Sequence, residues 1–256
     1  MFVEQLRKAQ QATGGRLCVG LDPHPEMVPG GGEVGAVERF LTAVIEKTKD
    51  DACAYKPNSA FFEALGAEGI TLLRHTIDRI HDANRLAILD AKRGDIASTA
   101  AEYARAARDV LNADAITVVP YMGEDAIRPF LESGIAVFVV TLPSNPTAAW
   151  VVDHGAPPLY VRVAELAASL DERFPGQVGL VVGATQPAKA EALRDVDPRL
   201  PWLVPGIGAQ GGSLEALRKA AGADRTLLFN VSRGILAADR PDDAARTFKR
   251  AMGEVR

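Results

Sequence analysis

Eight short apolar runs alternate with segments of helical period from one end of this chain to the other, and that alternation constrains the fold most. The runs are Leu17–Leu21, Ala52–Tyr55, Leu86–Leu89, Ile116–Val119, Ala136–Val140, Val178–Val182, Trp202–Val204 and Thr226–Asn230. Between and after them the spacing predicts helices over Val37–Lys49, Phe61–His81, Ser98–Leu111, Asp125–Glu132, Leu159–Leu170, Ala188–Asp195, Leu214–Ala221 and Asp242–Met252. A further helix near Val3–Gln11 precedes the first strand. Strict strand–helix alternation calls for a parallel sheet covered by helices. The 256 residues suit a closed α/β barrel, a single (β/α)8 TIM barrel with an extra N-terminal helix. An open doubly wound sheet is the other option, but Gly20-Leu21-Asp22-Pro23 follows the first strand where a GxGxxG turn would be needed. No low-complexity linker interrupts the chain, so one domain over residues 1–256 is expected.

Composition excludes several partner classes. A net charge of -4 gives no basic field for nucleic acid or an anionic membrane. No stretch reaches the ~20 apolar residues of a membrane span. The first residues, with Glu4, Arg7 and Lys8, lack the apolar segment of a secretory signal, so a cytoplasmic protein is expected. Cys18 and Cys53 fall in strand runs and should be buried, reduced thiols. No CxxC or HExxH spacing predicts a metal site. His24, His75, His81 and His154 read as structural, with His24 the least secure because it follows Asp22 in a candidate site loop.

In a barrel of this kind the site lies where the strands end. Asp22 follows the first strand, Lys56 the second, and Asp90 with Lys92 the third. Glycine-rich Pro205–Gly212 follows the seventh, and Ser232-Arg233-Gly234 the eighth. The last two loops are the usual phosphate position, and Arg233 supplies a fork suited to phosphate oxygens. If Asp90-Ala91-Lys92 is extended, Asp90 and Lys92 face the mouth together, with Asp95 just beyond. Such charges could merely satisfy one another at the rim. Two carboxylates around a lysine, with Lys56 on the next strand, are nevertheless a costly group to hold without a use. A lysine that forms an imine must lose its charge, whereas Lys92 between carboxylates should remain an ammonium. It is therefore suited to donating a proton to a carbanion. Two long loops, around Gly30-Gly31-Gly32 and from Pro143 to Pro158, are candidate lids.

The segment Asp90-Ala-Lys92-Arg-Gly-Asp95-Ile96-Ala-Ser-Thr99 resembles the DxKxxDIxxT signature of orotidine 5′-phosphate decarboxylases. Gly20-Leu21-Asp22, Lys56-Pro57-Asn58, Ser144-Asn145-Pro146, Pro205–Gly212 and Ser232-Arg233-Gly234 occur in that family's order. The set is similar to the longer bacterial (type 2) subfamily, although Leu142-Pro143 stands where polar residues are usual. The resemblance implies cofactor-free, metal-free decarboxylation of orotidine 5′-monophosphate to UMP, ending pyrimidine biosynthesis. It further implies that Lys92 protonates C6 while Asp90 and Asp95 position it. Asp95 and Thr99 would serve the other subunit of a homodimer with shared sites. Asp22 and Lys56 would hold the ribose, Ser144 the pyrimidine, and Gln210, Ser232 and Arg233 the phosphate.

Two alternatives remain open. A Mg2+-dependent 3-keto-L-gulonate 6-phosphate decarboxylase or hexulose-phosphate synthase would share the DxK barrel. It would place an acidic ligand where Lys56 stands. A non-catalytic sugar-phosphate-binding barrel would need the phosphate loops but not the charged cluster.

Overall fold

A computed structural model describes residues 1–207, 214–222 and 225–253. Eight parallel strands close into a barrel in sequence order. They are β1 (Leu17–Leu21), β2 (Ala52–Pro57), β3 (Leu86–Arg93), β4 (Ala115–Val118), β5 (Ala136–Leu142), β6 (Val178–Val182), β7 (Trp202–Val204) and β8 (Leu227–Val231). Closure is made by β1 on β8, with Cys18 opposite Asn230.

Alternation along the strands splits the core in two. Leu17, Val19 and Leu21 of β1, Ala87 and Leu89 of β3, and Phe229 and Val231 of β8 face outward against the helices. Cys18, Ala54, Ile88, Ala115, Phe138, Leu203 and Leu228 fill the interior. Because side chains two apart share a face, the residue after next on each strand also points inward. Ala54 is thus followed by Lys56, Ile88 by Asp90, Ala115 by Thr117 and Leu228 by Asn230. A dry apolar layer lies below and a polar layer above.

The helix α1 (Phe2–Thr13) closes the bottom. Phe2 and Leu6 join the interior cluster, and the Phe2 ring meets Phe138 edge-on with centroids 5.8 Å apart. Both cysteines are free and buried, and burial pushes the Cys53 thiol up to about 12, so neither is a ready nucleophile.

The outer ring comprises α2 (Val34–Thr48), α3 (Ser59–Glu63), α4 (Gly66–Asp82), α5 (Ala97–Arg105), α6 (Arg128–Ser133), α7 (Ala149–Val152), α8 (Leu159–Arg173), α9 (Pro187–Glu191), α10 (Leu214–Ala221), α11 (Arg233–Leu236) and α12 (Pro241–Met252). The single helix expected over Phe61–His81 is instead α3 and α4. Asn58 starts α3 early by accepting a hydrogen bond from the Ala60 amide. Gly66 then adopts φ +72°, which turns the chain, and a side chain at Gly69 would collide with the Phe62 carbonyl. No described helix is long and apolar enough to cross a membrane.

Candidate active site

The upper layer is organised by Asp90, which is 8% exposed. Its Oδ2 accepts from Lys56 Nζ at 2.5 Å, and its Oδ1 accepts from Lys92 Nζ at 2.5 Å. The Thr117 hydroxyl donates to the same Oδ1 at 3.0 Å and accepts from the Lys92 amide at 2.9 Å. One carboxylate therefore holds two ammonium groups, and Thr117 ties β4 to that arrangement. The two lysines differ in access. The Lys56 side chain is 5% exposed and lines the cleft at this end of the barrel, whereas that of Lys92 is 52% exposed and stands beside the cleft's lining residue Asp90.

The backbone at Lys92 departs from expectation. Asp90-Ala91-Lys92 is not uniformly extended, because Lys92 has φ +46° and the β3–β4 register shifts between Leu89 and Arg93. Such a kink re-aims a side chain at a strand end. Lys92 still reaches Asp90, but through the kink and not through simple alternation.

Burial alone would neutralise both inner groups. It raises Asp90, but Lys56 and Lys92 outweigh it and hold the carboxyl well below the ordinary carboxylate range. It also depresses Lys56, but Asp90 and then Asp22 outweigh it and hold the ammonium above its ordinary value. Each group is kept ionised by its partner.

The cleft at this end is lined by Asp22, Lys56, Asp90, Asn230, Ser232 and Arg233, with His24 at its edge. Three oxygens of residues lining it are buried and have no hydrogen-bond partner among the described residues: Asp22 Oδ1, Asn230 Oδ1 and Ser232 Oγ. Orphaned polar atoms of this kind are what a polar ligand satisfies. Arg233 is exposed and pairs with no carboxylate among the described residues. The His24 ring packs edge-on against Phe61 at 4.6 Å, which accounts for it structurally.

Other expected positions lie further off. Asp95 accepts from the neighbouring Ile96 amide and does not reach Lys92 within this chain. Thr99 is exposed on α5. Ser144 does not line the cleft, but its backbone is fixed against the segment that follows β6. Its carbonyl accepts from Thr185 Oγ1 at 2.8 Å, and the Pro143 carbonyl accepts from Gln186 Nε2 at 3.0 Å. Gly183 makes room for it, since a Cβ there would come within 2.7 Å of Ser144 Cα. Gln210 lies outside the described residues. Thr117 and Asn230 were not anticipated, yet both are polar residues with the parity of an interior apolar one.

Fold and site together define a (β/α)8-barrel enzyme built around a charged lysine–aspartate–lysine group. Comparison with known proteins narrows the class. The model of the orotidine 5′-phosphate decarboxylase / HUMPS family matches residues 15–248. A relative from Roseiflexus castenholzii named orotidine 5′-phosphate decarboxylase is 43% identical, covering 100% of this chain and 96% of its own. One of the same name from Roseiflexus sp. (strain RS-1) is 47% identical over 90% and 88%. The solved structure of Leishmania donovani OMP decarboxylase superposes with a TM-score of 0.88 at 39% identity, covering 98% of this chain and 96% of that one. The chain belongs to the orotidine 5′-phosphate decarboxylase / HUMPS family.

Proposed function

We propose that this protein decarboxylates orotidine 5′-monophosphate to UMP, with Lys92 as the proton donor. The observation that carries the reading is the exposed Lys92, whose Nζ is held 2.5 Å from Asp90, a buried carboxylate that lines the cleft. Loss of carbon dioxide breaks the C6–carboxylate bond and leaves its electron pair on C6. That carbanion has no adjacent acceptor, so a fixed ammonium stabilises it best and then delivers its proton to C6. Solvent reprotonates Lys92. Asp90 positions Lys92 and, with Lys56, keeps the group ionised in place.

The remaining residues divide by position. Asp22 and Lys56 serve the ribose hydroxyls; Ser232, Arg233 and Gln210 serve the phosphate; Ser144 serves the pyrimidine. Binding energy from the phosphate end favours turnover when it organises the charged cluster. No metal or organic cofactor takes part. A divalent cation at Asp90 would face two ammonium groups, because Lys56 occupies Oδ2 and Lys92 occupies Oδ1. A sugar-phosphate-binding barrel without catalysis has no use for that arrangement.

A homodimer with shared sites belongs to the same reading, as does a cytoplasmic location. Asp95 and Thr99 do not line their own cleft, and exposed apolar residues lie near them in the chain, Ile96 and Tyr103 at and on α5 and Tyr121 and Met122 after β4. Burial of such a patch against a second copy would carry Asp95 and Thr99 to the neighbouring Lys92. Mixing inactive Lys92→Ala with inactive Asp95→Ala protein should then restore about a quarter of wild-type activity by subunit exchange. No recovery after demonstrated exchange would show that each site is built from one chain.

The function itself is tested by following the ultraviolet absorbance of orotidine 5′-monophosphate with purified protein in EDTA. Turnover is expected in the chelator. Absence of turnover, or turnover that needs added Mg2+, contradicts the reading.

A further inference from the structure

We infer that Asn230 is a substrate-contacting residue whose carboxamide, on the floor of the cleft, hydrogen-bonds the ribose-phosphate part of the nucleotide. The inference rests on the function proposed above and adds to the site a residue that the family signature does not contain.

Leu228 of β8 belongs to the dry interior, so Asn230, two residues on, points the same way at the top of that interior. It is 8% exposed and lines the cleft beside Asp22, Lys56 and Ser232. Its Oδ1 is buried and makes no hydrogen bond, either to those neighbours or to any other described residue. A buried carbonyl oxygen left unsatisfied is a standing loss that a leucine at this position would avoid, as Leu228 does below it.

The neighbouring strand is shaped around this amide. Gly20 of β1 has no side chain, and a Cβ there would lie 3.2 Å from both Asn230 Nδ2 and Oδ1 and 2.8 Å from Ser232 Cβ. Glycine thus makes room for two side chains of the cleft whose oxygens, Asn230 Oδ1 and Ser232 Oγ, have no partner among the described residues. They line the same cleft as Asp22, assigned to the ribose, and Arg233, assigned to the phosphate. A carboxamide both donates and accepts, so it suits a ribose hydroxyl or a phosphoryl ester oxygen. A carboxylate in its place would repel the phosphate.

Asn230→Leu separates a ligand-facing role from a packing role. The inference predicts that KM for orotidine 5′-monophosphate and the inhibition constant for UMP both rise about tenfold. It predicts that kcat stays within about twofold and that the thermal midpoint without ligand is unchanged or higher, because a buried unsatisfied group has been removed. Unchanged KM and UMP inhibition would overturn the inference, as would a lowered midpoint with a loss confined to kcat. If leucine prevents folding, Asn230→Ala, which only removes atoms, is read by the same criteria. Failure of the wild-type protein both to turn over substrate and to be stabilised by UMP would instead defeat the proposed function. A working wild type that Asn230→Leu matches in every constant would defeat this inference alone.

Discussion

Lys92→Ala should lower kcat for orotidine 5′-monophosphate by about four orders of magnitude or more, while UMP still binds. Two losses combine in that figure: the charge that stabilises the C6 electron pair and the proton that quenches it. The fold should tolerate the change, because the Lys92 side chain is 52% exposed and Asp90 keeps Lys56 and Thr117 as partners. Circular dichroism and UMP inhibition should therefore match wild type closely. Residual activity within about tenfold of wild type would exclude Lys92 as the proton donor.

Asp90→Ala should fail in a different way, in stability as well as in activity. It strands the Lys56 ammonium at 5% side-chain exposure without its nearest counter-charge. Breaking a buried pair from one side costs roughly 3–5 kcal/mol, far more than an exposed pair such as Glu102–Arg105 would. The pH dependence follows from the two shifts. Asp90 is depressed in the folded state, so its contribution is present above its ordinary 3.8 and is lost as pH falls through the folded value. Lys56 is raised, so its contribution is present below its ordinary 10.5 and is lost as pH rises through the folded value. Between those limits the pair is fully stabilising. In Asp90→Ala, burial of Lys56 is opposed mainly by Asp22, and the stability deficit should shrink as alkaline pH removes the lysine charge. Denaturant melts of both proteins across pH read this directly. A deficit below about 1 kcal/mol at neutral pH would mean that the pair is no better than a surface one.

The barrel was legible because strand runs and helical segments alternate along the whole chain, and Asp90 and Lys56 were legible as charges where strand runs end. Thr117 and Asn230 share the inward facing of Ala115 and Leu228, two residues before them, but a single uncharged polar residue inside an apolar run attracts less notice than a charge. The kink at Lys92 was not legible, since a φ of +46° at a lysine and a register shift between strands leave no trace in residue type. The break between α3 and α4 did leave one, in Gly66 and Gly69, which helical spacing alone passed over. Asp95 and Thr99 mark a different boundary. Their place on the rim follows from the chain, while the site they serve depends on what packs against it.

The account rests on a carbanion at C6 being protonated from a solvent-exchanging ammonium. Nuclear magnetic resonance of the product formed from orotidine 5′-monophosphate in D2O with EDTA tests this most directly. The prediction is UMP carrying deuterium at C6, formed by wild-type protein and not by Lys92→Ala. Recovery of unchanged substrate from the wild-type reaction, or equal deuterated product from both proteins, would contradict it.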